Sequence, residues 1–138
     1  MSEKSKGFGV LPGTAGDGAL ADIGYVDTYG KMPWISFTLK NTHASAALSS
    51  VAILVKDKKT GDYSTLVSGA DWDTASNFSD MDRIGLSNST QASIRILPAG
   101  EYVHVCMFIG PAYAFKIQAQ DAGGGVVTTE LSGYAAGQ

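Results

Sequence analysis

Between Gln91 and Ala119 the chain reads Q-A-S-I-R-I-L-P-A-G-E-Y-V-H-V-C-M-F-I-G-P-A-Y-A-F-K-I-Q-A, a dense apolar stretch cut twice by proline and glycine. No other feature constrains the fold as much. Ser93-Ile94-Arg95-Ile96 alternates polar and apolar residues, the period of a strand with one covered face. Leu97-Pro98-Ala99-Gly100-Glu101 predicts a turn, because Pro98 fixes its φ and Gly100 can take a positive φ without a Cβ clash. Next, Tyr102, His104, Cys106 and Phe108 alternate with Val103, Val105, Met107 and Ile109. Both sets are largely apolar, so a central strand covered on both faces is expected. Gly110-Pro111 predicts a second turn, and Tyr113, Phe115 and Ile117 mark one face of a third strand. Three strands cannot bury such a surface alone. A second sheet is required.

The rest of the chain can supply it. Ile35, Phe37 and Leu39 alternate with Ser36, Thr38 and Lys40 as far as Asn41-Thr42. Val51, Ile53 and Val55 alternate with Ala52, Leu54 and Lys56, and Lys58-Lys59-Thr60-Gly61-Asp62 predicts a hairpin turn into Tyr63–Val67. Residues 68–90 read as polar and irregular, Asp121–Gly125 as a flexible turn, and Val126–Leu131 as a last strand. No helix-period segment and no internal repeat occurs. Short strands joined by turn chemistry predict an all-β, antiparallel sandwich over residues 34–131. Residues 1–33 differ: glycine recurs every few positions, with Phe8, Leu11, Tyr25 and Tyr29 among the residues between. Disordered tails carry fewer aromatic and aliphatic side chains. The segment is read as an extended arm that docks on a partner through those four residues. Residues 132–138 are a short, small-residue tail.

At 138 residues the chain is long enough for one domain with a real core. Its charged fraction is 17%, low against the roughly one quarter usual for a soluble domain. With 17 glycines, that fits a surface partly covered by neighbours. A net charge of −3 argues against a nucleic-acid partner, and Lys56, Lys58 and Lys59 form too small a basic spot to change this. Cys106 is the single cysteine, so no intrachain disulfide forms. The start, Met-Ser-Glu-Lys-Ser-Lys-Gly, has no apolar segment after its lysines, so no signal peptide is expected and synthesis is in the cytoplasm. The uncharged run from Val105 to Phe115 is too short to span a bilayer, so no membrane insertion is expected.

Candidate sites are few. Asp71, Asp73, Asp80 and Asp82 crowd one loop, and Asp71, Asp73, Ser79 and Asp82 match ligand positions of a calcium loop. Ala75 and Ser76 replace an oxygen ligand and the required glycine. The expectation is therefore a solvated loop with Asp and Ser turn caps around Trp72 and Phe78. No metal or other cofactor is expected, and Asp71, Asp73 and Asp82 are the only weak metal candidates. His104 and Cys106 lie two residues apart on one strand face, which would suit a soft metal or a Cys–His nucleophile. With His43 the only other histidine, a buried or cross-strand hydrogen-bonded histidine and a small core cysteine are expected instead. No Gly-x-Ser-x-Gly elbow, phosphate loop or zinc-protease motif occurs, so no enzyme is expected. Trp34, Trp72 and the tyrosines can stack on sugar rings but serve more often as core or interface anchors.

The strand I-S-F-T-L-K-N-T, the strand S-S-V-A-I-L-V-K-D and the turn I-L-P-A-G-E-Y-V-H-V together resemble bacterial and viral immunoglobulin-like modules. The likeness covers roughly residues 34 to 131 and lacks the Cys–Trp–Cys signature of antibody domains. It implies an immunoglobulin-like sandwich more than any function. Together with the absence of site chemistry, the low charge and the arm, it leads to the expectation of a virion component. The form expected is a capsid decoration (cement) protein of a tailed phage, homo-oligomeric and bound to the major capsid protein or other virion subunits. The alternative is a carbohydrate- or cell-surface-binding sandwich using Trp72 and the acidic loop.

Overall fold

The structure, a computed structural model, describes residues 5–10, 14–15, 20–79, 81–88, 94, 96–121 and 127–137. Among these residues regular structure is all β apart from two short 3-10 turns, Gly69–Asp73 and Ala75–Asn77. The strands are β1 (Ser5–Gly7), β2 (Gly9–Val10), β3 (Thr14–Ala15), β4 (Ala21–Asp27), β5 (Trp34–Asn41) and β6 (Leu48–Lys56). There follow β7 (Ser64–Ser68), β8 (Arg83–Leu86), β9 (Tyr102–Phe108), β10 (Ala114–Asp121) and β11 (Val127–Ala136). They form two antiparallel sheets. The first has the order β1-β11-β5-β9-β8, with β3 also on β11, and the second β2-β4-β10-β6-β7.

The period-2 pattern decides which side of each strand is buried. Sheet one turns Ile35, Phe37, Leu39, Val103, Val105, Met107 and Leu131 inward, and sheet two turns Ile23, Val26, Val51, Ile53, Phe115 and Ile117 inward. These residues belong to a single hydrophobic cluster, so the two sheets share one core. Leu48 and Leu97 form a bridge with both backbone bonds at 3.0 Å, which helps close one end. Gly100 takes φ 79° in the predicted turn, whose Glu101 N–H donates to the Pro98 carbonyl at 3.1 Å. A positive φ at that position is what a type II turn demands, and glycine supplies it without strain.

Four sequence expectations need correction. Within residues 1–33, the described residues do not form an arm apart from the sandwich. β4 lies inside sheet two between β2 and β10, with Ile23 and Val26 buried, so the packed unit begins well before Trp34. The chain from Ser5 to Val10 runs first along the edge of sheet one and then along the edge of sheet two. At the switch Phe8 turns inward, its ring edge-on to Phe37 at 6.3 Å and to Phe115 at 6.0 Å. The tail is not a tail either, because β11 continues to Ala136 in register with β5 and β1. Pairing on both sides satisfies backbone groups that a free tail would leave to water.

The other two corrections concern the central stretch. Ile94 is buried in a turn and Ile96 is 57% exposed, and no described residue of this segment lies in a strand. Ser93 and Arg95 lie outside the described residues. β9 has one solvated face rather than two covered ones. Val103, Val105 and Met107 are buried, whereas Tyr102 and Phe108 are 47% and 49% exposed. Register explains the direction: Tyr102, His104 and Cys106 stand beside Lys40, Thr38 and Ser36 of β5, the polar set of that strand.

Candidate functional site: the outward face of sheet one

The outward face of sheet one is a grid fixed by strand register. Ala136, Trp34 and Phe108 form one row across β11, β5 and β9, and Tyr134, Ser36, Cys106 and Arg83 form the next, reaching β8. Ser132, Thr38, His104 and Gly85 follow, and then Glu130, Lys40 and Tyr102. Trp34 and Phe108 meet edge to face at 5.1 Å between ring centroids. Tyr134, Tyr102 and Phe108 are each about half exposed. Aromatic rings so placed are anchors of the kind found at interface centres.

Within this grid His104 is exposed rather than buried, and its Nδ1 makes a cross-strand contact, 2.9 Å from Thr38 Oγ1. Cys106 is not the core hydrophobe expected. It points outward, half-buried, with Sγ 3.3 Å from His104 Nε2 and 3.2 Å from Ser36 Oγ. Because both strand sets are apolar, the sequence of β9 alone gave no reason to choose this face.

Sheet two carries a second outward cluster. Tyr29, held at φ 54°, meets Tyr113 edge to face at 5.1 Å. Lys116 and Lys56 stand over the Tyr63 ring at 4.5 and 5.0 Å. Lys116 pairs with Asp22 at 3.2 Å, and Gln118 Nε2 donates to the same carboxylate at 2.7 Å. Here the Tyr29, Tyr63 and Tyr113 rings are engaged by local cations, and Lys116 is paired with Asp22. Burial, then the Asp27 and Asp22 carboxylates, push the Tyr63 phenol above its ordinary value of 10.0. Lost hydration, then Tyr29 and Asp27, do the same for Tyr113. A raised folded-state value favours the neutral phenol, so this stability is intact below pH 10 and lost as pH rises through the folded values. Ultraviolet titration should show late-ionising phenols at Tyr63 and Tyr113. Tyr63→Phe and Tyr113→Phe should each remove one.

The residues predicted to contact a partner therefore separate. Phe8 is half-buried between the sheets, Tyr25 and Tyr29 are 46% and 57% exposed on sheet two, and Leu11 lies outside the described residues. The acidic loop follows the capping expectation. The Asp71 carboxylate accepts from the Ser68 N–H at 3.1 Å, and that of Asp82 accepts from Ser79 and Phe108 N–H groups at 2.9 and 3.1 Å. Asp73 is exposed, and Asp80 lies outside the described residues. Trp72 is buried and donates from Nε1 to the Val51 carbonyl at 2.7 Å, its ring stacked on Phe78. It therefore cannot serve as a sugar platform. A cavity of ≈ 260 Å³ lies beside this loop, with Phe78, Met107 and Ile109 among its walls and Asp71 and Asp82 also lining it.

Among the described residues no three His, Cys, Asp or Glu side chains gather as a metal site, and no helix is long and apolar enough to cross a membrane. Compared with known proteins, the chain matches no protein-family model, no curated protein and no solved structure.

Proposed function

We propose that this chain is a non-enzymatic structural component of a viral particle, a capsid decoration or cement protein that stabilises a phage shell. In this reading the packed double-sheet unit is the rigid body, with the immunoglobulin-like connectivity that its strand grammar resembles. The partner is the major capsid protein, and copies of the chain associate on the shell. The observation that carries the reading is the outward face of sheet one, where Trp34 and the half-exposed Phe108 and Tyr134 stand in adjoining rows and half-exposed Tyr102 marks the far end of the same face. Such side chains cost free energy in water and return it when a partner covers them. The low charge of the chain agrees with a surface meant to be covered.

The contact differs from the one expected from sequence. With Phe8 directed into the core, the arm is no longer the natural source of affinity, and the sheet takes its place. Shells lacking the protein, mixed with purified chain and sedimented, provide the test. The doubly substituted Phe108→Ser, Tyr134→Ser chain should fold normally and bind at least about tenfold more weakly, as loss of two interface anchors implies. Undiminished binding by that variant would contradict the assignment of the face.

A second reading has an observation in its favour. On sheet two, exposed Tyr25 stands opposite Lys116 in register, and Lys116 and Gln118 both reach Asp22, a mixture of ring surface and hydrogen-bonding groups suited to a saccharide. Tyr25→Ala should then abolish glycan binding while leaving shell binding unchanged.

A further inference from the structure

Among the described residues, Cys106 and His104 are a juxtaposition of a nucleophile and a base that the proposed function leaves unused. Three side chains on two strands stand in line: Thr38 Oγ1 lies 2.9 Å from His104 Nδ1, and His104 Nε2 lies 3.3 Å from Cys106 Sγ. That is the order of orienter, base and nucleophile found where a weak nucleophile is activated. Ser36 Oγ adds a fourth group, 3.2 Å from the same sulfur. From the other neighbouring strand, Arg83 stands opposite Cys106 in register.

The geometry provides a path for the thiol proton, since Cys106 Sγ and His104 Nε2 are within hydrogen-bond reach of each other. When the thiol proton moves to Nε2, the imidazolium donates from Nδ1 to Thr38 and from Nε2 to the sulfur. The Ser36 hydroxyl can donate to the same sulfur. Every polar atom of the set then has a partner of the correct sense. The face is open to solvent, since His104 is exposed and Cys106 is only half-buried. The cavity of ≈ 200 Å³ on this face is lined by Thr38, Lys40, Tyr102, Glu130 and Ser132 and by neither His104 nor Cys106, so the sulfur does not face into it. The set is open to a small, soluble electrophile.

We infer that Cys106 is a modification site of the free chain, a thiol activated by His104 that undergoes exchange with small-molecule disulfides. The Cys106 sulfur attacks one sulfur of the reagent, forming a mixed disulfide as the reagent's S–S bond breaks. The Cys106 proton passes to His104 Nε2 and from there to the departing thiolate, which leaves as a thiol. Cys106 is oxidised to the disulfide level and one reagent sulfur is reduced, so electrons balance without another oxidant. The inference concerns the chain in solution and does not rest on the virion reading.

The test uses oxidised glutathione on the folded full-length chain at neutral pH, followed by intact mass. Cys106 is the single cysteine, so each added glutathionyl group reports this site. Wild type should gain one group, and His104→Gln should react about tenfold more slowly, as loss of a positioned base implies. Thr38→Val, which keeps the imidazole but removes its orienter, should fall about threefold. Both positions face solvent on the sheet, so urea midpoints should stay close to wild type and separate a reactivity effect from a folding one. Equal rates for His104→Gln and wild type would overturn the inference. So would a wild-type chain that remains unmodified.

Discussion

Gly133→Ala is expected to cost about 3 kcal/mol of stability, at the upper end of ordinary overpacking, and to lower the melting temperature by roughly 10 °C. Gly133 pairs with Phe37 at the centre of the β11–β5 ladder, which runs from Thr129 opposite Asn41 to Ala136 opposite Trp34. A Cβ at Gly133 would overlap the Ser36 carbonyl oxygen and lie 2.7 Å from both Cα and Cβ of Phe37. Those are mainly backbone atoms of the facing strand, and they cannot swing aside as a long side chain can. β11 would have to lift away from β5. The Gly133 carbonyl also accepts the Phe8 N–H at 3.1 Å, so the strand switch that carries Phe8 inward would move with it. Gly7→Ala is the matched control, because its added Cβ meets nothing nearer than the Gly133 oxygen at 3.9 Å. It should change stability by no more than about 0.5 kcal/mol. Thermal unfolding of the two variants side by side reads the difference, and a Gly133→Ala chain as stable as Gly7→Ala would refute the close approach.

Asn41→Ala should be of similar size, about 3 kcal/mol, because it removes three hydrogen bonds made by a fully buried side chain rather than a surface contact. Asn41 is completely buried at the end of β5. Its Nδ2 donates to the Ala46 carbonyl at 2.8 Å and to the Leu97 carbonyl at 3.0 Å, and its Oδ1 accepts the His43 N–H at 3.0 Å. One side chain thus links β5, the loop after it and the segment before the Pro98 turn. Asn41→Asp is the sharper variant. It keeps the acceptor for His43 but directs a carboxylate at two carbonyl oxygens, so at neutral pH it should destabilise at least as much as alanine. Urea midpoints measure both, and a wild-type midpoint for either would contradict the linking role.

The parts of this fold that could be read in advance are those where one strand carries its own contrast. β5 alternates Ile35, Phe37 and Leu39 with Ser36, Thr38 and Lys40, and the structure buries the first set. The hairpin between β6 and β7 and the turn at Gly100 followed from local chemistry in the same way. β9 carries no such contrast, so its outward face was not legible from its own residues. Only the register with β5, which aligns His104 with Thr38 and Cys106 with Ser36, assigns the direction. Phe8 and Tyr29 fail for a related reason. An aromatic residue among glycines reads the same whether it fills a core or meets a partner. What draws Phe8 inward is the Phe37–Phe115 gap, which exists only once both sheets are assembled. β8, with the four residues Arg83–Leu86, is too short to show a period. The candidate docking face was hidden likewise, since it joins residues from β5, β9 and β11 that are distant in the chain.

Hydroxyl-radical footprinting of the aromatic side chains, free and assembled on shells, tests the central claim most directly. Labelling of Trp34, Tyr102, Phe108 and Tyr134 should fall sharply on assembly, while Tyr25 and Tyr29 on sheet two keep theirs. Unchanged labelling of the first four, with protection of Tyr25 and Tyr29 instead, would contradict the assignment and place the partner on the opposite sheet.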